Sequence, residues 1–328
     1  MTPLLHLDRI SIDVAVGGFF ARLRLPIVQD VSLAVSPGES VALVGESGSG
    51  KTTIARAAMG LQAKSGGRVV FDGTPVETAA DLARFRRASA LMFQDAAASL
   101  SPRLTLGYLV TEPFRIHGLR LADPEGRARA LLAAAGLPPA MTRRYPHEIS
   151  GGQARRVAVA RALALDPRLV IADEPTAGLD VSVQAEVLNL MADLRRDRGL
   201  SYLIITHNLA LVRHVADRVV VLYLGRVVEE GPTAEVFAAP AHPYTASLIA
   251  SEPKPDPRKR RADLAIRGEI PSILRRPPGC EFHTRCPIAR DICVRSAPGL
   301  CAVGPRRSAR CHFAVNQTSK GEDHALDH

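Results

Sequence analysis

Residues 45–52 read GESGSGKT, between the short apolar run Val41 to Val44 and a helix-forming stretch, Thr52 to Leu61, that sets Ile54, Ala57, Ala58 and Leu61 on one face. Strand, glycine-rich turn and helix in that order make a phosphate-binding unit. Gly45, Gly50, Lys51 and Thr52 fill every fixed position of the phosphate-loop pattern. The glycines let backbone N–H groups turn inward around β- and γ-phosphates, Lys51 adds positive charge there, and the Thr52 hydroxyl is a magnesium ligand. Ser47, Gly48 and Thr53 complete the expected ATP-binding set.

The rest of the chain supplies the sheet that such a unit needs. Leu169 to Ala172, Tyr202 to Thr206 and Val219 to Leu224 are short apolar strands, and Val183 to Arg198 is a helix with Val183, Val187, Leu188, Met191 and Leu194 on one stripe, stopped by Gly199. Strands alternating with helices predict an α/β fold with a mostly parallel sheet. The alternation Leu5, Leu7, Ile10, Ile12, Val14, followed by Ile27 to Val35, predicts an antiparallel strand region in front of it. Asp123 to Ala135 and Gly152 to Leu165 are rich in Ala, Leu and Arg, with Pro138, Pro139 and Pro146 between them. They predict a helical subdomain inserted at roughly residues 95–160.

Asp173 and Glu174 follow the strand Leu169 to Ala172, so two carboxylates arrive at its carboxyl end, where ligands gather in open α/β sheets. Asp173 is placed to hold magnesium and Glu174 to polarise an attacking water. Gln94 in LMFQD follows another apolar run and is placed to meet magnesium and that water; His207 in LIITHN ends a strand and is placed to meet the γ-phosphate. In ISGGQ, Ser150, Gly151, Gly152 and Gln153 open a helix whose N–H groups and positive dipole end would receive a phosphate. The same serine also reads as a plain helix cap.

At 328 residues, 46% of them apolar, the chain is long enough for one large α/β domain and an appendage. No apolar stretch reaches the roughly 18 residues needed to cross a bilayer, and MTPLLHLDRISIDV lacks the order of a signal peptide, so the chain is expected in the cytoplasm. The net charge of +9 admits nucleic acid or an anionic membrane as partner and equally a solvated basic surface. From Ser251 to Arg261 the sequence SEPKPDPRKRR reads as an exposed linker. The basic run Arg258 to Arg261, with Arg275 and Arg276, reads either as solvated or as a contact for anionic headgroups. All five cysteines lie beyond it, making the tail chemically a separate object. Cys280, Cys286, Cys293 and Cys311 have the spacing C-x5-C-x6-C-x17-C, with Cys301 between the last two. Four thiolates in a cytosolic chain suit zinc, an iron–sulfur cluster or a reduced structural role.

Phosphate loop, LMFQD, ISGGQ, VIADEP, AGLD and ITH, in that order, resemble the ATP-binding subunit of an ABC transporter, a likeness that covers nearly the whole chain. YPHEISGGQ, DVSVQAEVLNLM, AHPYT and GEIPSILRRPPGCEFHTRCP resemble the dipeptide, oligopeptide and nickel importer branch. GGFFARLRLP and FQDAAASLSPRLTLG look more like the second of that branch's two paired ATPases.

The resemblance implies a phosphate-loop NTPase (RecA-like) core, with an ATPase domain over residues 1–250 and the branch's carboxyl-terminal region over 251–328. It implies that ATP lies between one subunit's phosphate loop and the other's signature, so that Ser150 to Gln153, with Asp180 of AGLD, act on the partner's nucleotide. It implies Mg2+ held by Thr52, Gln94 and Asp173, catalysis by Glu174, His207 and Gln94, and a [4Fe-4S] cluster on Cys280, Cys286, Cys293 and Cys311. The partners implied are a non-identical second ATPase, two permeases and an extracytoplasmic solute-binding protein, which places the subunit on the cytoplasmic face of the inner (plasma) membrane. The rival reading is a soluble ABC ATPase acting on nucleic acid or ribosomes, and a third is an ATPase gated by its tail. The chain departs from the family at three points: Ala154 and Asn208 replace a basic residue and an Asp, and no aromatic lies near Val14 to stack on adenine, leaving Phe19 or Phe20.

Overall fold

The alternating run at the amino terminus forms strand β1 (Leu5–Val16), antiparallel to β2 (Leu23–Val35). The computed structural model describes residues 2–16, 23–252 and 268–314; Phe19, Phe20 and Arg258 to Arg261 lie outside them. Next come β3 (Ser40–Val44), helix α1 (Lys51–Ala58), β4 (Gly66–Phe71) and the short β5 (Thr74–Pro75). Strands β2, β1, β4 and β5, in that order, make an antiparallel sheet. Its apolar face, including Leu7, Ile12, Val28 and Val31, shares a core with Leu43 of β3 and Ile54 of α1. Leu61, expected on the buried face of α1, lies beyond the helix end and is exposed.

Helix α2 (Ala79–Ala88), opened by a capping box between Thr78 and Asp81, runs into β6 (Ser89–Met92). Three helices follow, α3 (Leu106–Ile116), α4 (Pro124–Ala134) and α5 (Gly151–Ala162), where the helical insertion was expected. Asp123 caps α4 by accepting the Gly126 N–H at 2.8 Å. Pro139 and Pro146 open short 3-10 turns, since proline cannot sit inside a helix without losing a hydrogen bond. Leu109, Leu131 and Val157 of this region pack with Val187 and Met191 of α6 (Val181–Arg198).

The chain enters the main sheet again through β7 (Leu169–Asp173), β8 (Ser201–Thr206), α7 (Leu209–Val215) and β9 (Arg218–Tyr223). Strands β9, β3, β8, β7 and β6 are all parallel neighbours, and β3, β7 and β8 are buried at every residue. Cover on both faces explains why these strands read as continuous apolar runs. Helix α6 ends at Gly199, whose φ of 64° is the left-handed stop expected of a glycine there.

Strand β10 (Arg226–Pro232) turns back antiparallel to β9 and is followed by α8 (Thr233–Ala238) and α9 (Pro243–Ala250). The cysteine-bearing tail holds a 3-10 turn at Ile273–Arg275, helix α10 (Asp291–Arg295) and the hairpin β11 (Cys301–Gly304) and β12 (Arg307–Ala309). It does not stand apart from the rest. Strand β12 pairs with β10, Glu229 opposite Ala309 and Glu230 opposite Ser308, and so extends the main sheet to eight strands among the described residues. Phe282 of the tail is 1% exposed, against Tyr223 and Tyr244. Arg276, grouped in the sequence with a basic surface run, instead bonds the Leu224 and Pro26 carbonyls and pairs with Glu281.

Candidate nucleotide site

The loop between β3 and α1 is shaped by close backbone approach. A Cβ on Gly45 would lie 2.2 Å from the Leu222 carbonyl oxygen, and Gly48 and Gly50 have φ of 78° and 100°, which side chains other than hydrogen rarely tolerate. Lys51 is buried, its Nζ donating to the carbonyls of Gly45 and Glu46 at 2.7 and 2.8 Å. Burial lowers its pKa, opposed by Glu174, Asp173 and Glu46.

Across the cleft, the end of β7 presents the two carboxylates as expected. Asp173 is 5% exposed and accepts from the Thr52 hydroxyl at 3.2 Å. Burial raises its pKa, with Glu174 adding to the rise and Thr52, Arg56 and Lys51 opposing it. A buried carboxylate beside a hydroxyl, with a second carboxylate next in sequence, is the hard-oxygen donor set that suits Mg2+. Glu174 has φ of 47°, a backbone conformation uncommon outside glycine, and its own N–H donates to Ile205 of β8 at 2.8 Å. Its carboxylate accepts from the Thr206 hydroxyl and the His207 N–H, both at 3.1 Å, and meets His207 Nδ1 at 2.6 Å. The sequence named Glu174 and His207 separately; the pairing of strands β7 and β8 makes them one unit.

Gly45, Ser47, Gly48, Gly50, Lys51, Thr52, Thr53, Gln94, Asp173, Glu174 and His207, all expected from the sequence, line one cleft of about 750 Å³. None of Ser150, Gly151, Gly152 or Gln153 does. They stand at the start of α5 in a reciprocal cap: Ser150 Oγ accepts the Gln153 N–H at 3.3 Å and Gln153 Oε1 accepts the Ser150 N–H at 3.0 Å. Asp180 caps α6 by accepting the Val183 N–H at 3.0 Å. Asn208, the departure after the histidine, caps α7 through the Leu211 N–H at 3.2 Å.

Several contributors had no local signal in the sequence. Val14, Ile27 and Ile273 line the cleft, the last from the tail. Arg155 of α5 is 4% exposed and donates to the carbonyls of Phe93, Gln94 and Ala177, tying the Gln94 loop and the segment after Glu174 to the signature helix. Glu46 is held from the tail by Arg285.

In the tail, burial pushes the Cys280 thiol up to about 11, with Cys293, Cys311 and Cys286 contributing in that order. Cys286 and Cys311 are raised for the same first reason. Cys301 is exposed and takes no part in these shifts. Among the described residues no three His, Cys, Asp or Glu converge as a single metal ion requires, so the tail shows no assembled site for an ion such as zinc.

A phosphate loop on a parallel sheet, two carboxylates at the end of β7 and a glycine-led signature helix beyond the cleft define an ATP-hydrolysing cassette. The family described as ABC transporter matches residues 28–177, and that described as oligopeptide/dipeptide transporter, C-terminal region, matches residues 228–293. A probable peptide ABC transporter ATP-binding protein of Sinorhizobium fredii is 43% identical, over 94% of this chain and 89% of its own length. The oligopeptide transport ATP-binding protein OppF of Salmonella typhimurium is 44% identical, over 84% of each chain. The dimeric structure of MJ0796, a bacterial ABC transporter cassette, superposes with a TM-score of 0.63 at 28% identity, covering 70% of this chain and 98% of that one. The chain belongs to the ATP-binding proteins of the oligopeptide and dipeptide branch of ABC transporters, and it is an ATPase of that family.

Proposed function

We propose that this chain energises peptide import, pairing with a second, non-identical ATPase so that each composite site joins one subunit's phosphate loop to the other's signature. The observation that carries this reading is the separation within one chain: Lys51, Asp173, Glu174 and His207 share a cleft that Ser150 to Gln153 do not line. The peptide import named in the relatives and the dimeric cassette among the similar structures support it. Two permease subunits and an extracytoplasmic binding protein complete the transporter, and the solute never touches this chain. Among the described residues no helix is long and apolar enough to cross a membrane, in keeping with a peripheral place on the cytoplasmic face beside the permeases.

In this reading Lys51 and the loop's N–H groups, from Gly45 to Thr53, hold the β- and γ-phosphates. Thr52, Asp173 and Gln94 hold Mg2+, which supplies charge neutralisation at the phosphates. Glu174, fixed by Thr206 and His207, accepts the proton of the attacking water. Residues 1–250 do this work, and the described residues of the 251–328 region brace it. We propose further that Cys280, Cys286, Cys293 and Cys311 hold a [4Fe-4S] cluster: the Cys280 N–H donates to the Cys293 carbonyl at 2.7 Å, Cys280 and Cys286 pack against the same core, and a cluster spans its ligands more widely than a single ion does. The test of the ATPase roles is Glu174→Gln, which should keep ATP binding and lower kcat by about a hundredfold or more. Unchanged turnover refutes the assignment of the base.

A further inference from the structure

The tail reaches the phosphate loop itself. Arg285 sets its guanidinium on Glu46 in a fork, Nη1 to Oε2 at 2.7 Å and Nη2 to Oε1 at 2.9 Å, with its own side chain 4% exposed. Glu46 is the second residue of GESGSGKT. Its backbone N–H donates to the Tyr244 hydroxyl at 2.9 Å and its carbonyl accepts from Lys51 Nζ at 2.8 Å. One loop residue is thus held at three points, two of them by groups far along the chain. The holding side is stiff: Tyr223, Tyr244 and Phe282 pack ring on ring at 4.6, 5.3 and 5.4 Å. Ile273, twelve residues before Arg285, lines the same cleft.

Phosphate-loop chemistry calls for inward N–H groups, a lysine and a hydroxyl, and a carboxylate on the loop works against it. Glu46 lines the cleft that receives the charged phosphates, and an uncompensated anion there repels them. The Arg285 fork neutralises that carboxylate and turns it into a strut. We propose that Arg285 is a positioning residue for ATP binding, acting through Glu46, so that the carboxyl-terminal region is a working wall of this chain's own nucleotide site. This inference rests on the reading of the cleft as the ATP site.

The test is ATP KM and kcat of the full-length protein in its transporter. Arg285→Ala should raise KM about tenfold with kcat within about threefold, and Arg285→Lys, which keeps the charge and loses the fork, should raise it less. Adding Glu46→Gln to Arg285→Ala should bring KM back toward wild type, a rescue that a merely structural role would not give. Arg295→Ala, at an exposed pair in the same module, should leave KM unchanged. A wild-type KM in Arg285→Ala, or a raised KM that Glu46→Gln fails to lower, overturns the proposal. If Arg285→Ala does not fold, the same rescue is read on Arg285→Lys. Lys51→Ala separates the two layers: normal ATP binding there overturns the site itself, whereas lost binding there with unchanged KM in Arg285→Ala overturns only the role of Arg285.

Discussion

Arg307→Ala should destabilise the whole chain and not merely loosen its tail. Arg307 on β12 reaches Glu229 on β10 at 3.0 Å, with side chains 2% and 0% exposed, and donates to the Ala239 carbonyl at 2.7 Å. The Glu229 carboxylate also accepts the N–H groups of Ala241 and His242 at 2.8 and 2.9 Å. Removing the guanidinium leaves a fully buried carboxylate with two amide donors and without its Arg307 counter-charge. Breaking a buried pair from one side costs about 3–5 kcal/mol, because the remaining charge stays desolvated. For a domain of this size that corresponds to a fall in Tm of roughly 10 °C.

Urea denaturation followed by far-UV circular dichroism reads the loss, and since the chain has no tryptophan, fluorescence of its five tyrosines gives a second probe. Both probes should shift together. The double variant Arg307→Met with Glu229→Gln should lose less than Arg307→Ala alone, since it leaves no orphaned charge. A loss below about 1 kcal/mol in Arg307→Ala, or a double variant worse than the single, refutes the reasoning that the tail is joined to the sheet through this pair.

His242 is fully buried, its Nδ1 accepting the Tyr244 N–H at 3.0 Å, and burial lowers its pKa to about 3. With the folded pKa below the unfolded value, the stability it contributes is present above about pH 6.5 and is lost as pH falls towards 3, at roughly 1.4 kcal/mol per unit; a midpoint in His242→Gln that falls as steeply over that range refutes this. Anaerobically purified protein should contain about four iron and four sulfide per chain, lost in Cys286→Ala and kept in Cys301→Ala. Colourless, iron-free protein, or unchanged iron in Cys286→Ala, refutes the cluster.

The cleft residues of the phosphate loop and of β7 were legible because their pattern is local. A phosphate loop must follow a buried strand and precede a helix, and Asp173 and Glu174 must end one, so GESGSGKT and VIADEP carry their context with them. The Ser150 cap and the Gly199 stop were legible for the same reason, each being satisfied within a turn of its own residue. Leu61 misled because helical spacing continues past the point where the chain leaves the helix, and Arg276 because a guanidinium beside other basic residues looks solvated until the carbonyls of Pro26 on β2 and of Leu224 just after β9 are in place.

GEIPSILRRPPGCEFHTRCP shows the division most clearly. Its residues marked the branch and announced the cysteines, yet Ile273 and Arg285 within it looked like any aliphatic and any basic residue. Local pattern settled the fold class, the place of the phosphate loop between strand and helix and the signature helix, since period, loop and cap are written within a few residues. Only the tertiary structure decided that the tail continues the main sheet, that Glu174 and His207 are one unit, and that Arg285 braces Glu46 across 239 positions. Such contacts depend on burial and charge compensation between segments far apart in the chain, and no single segment carries the information about what will neutralise it.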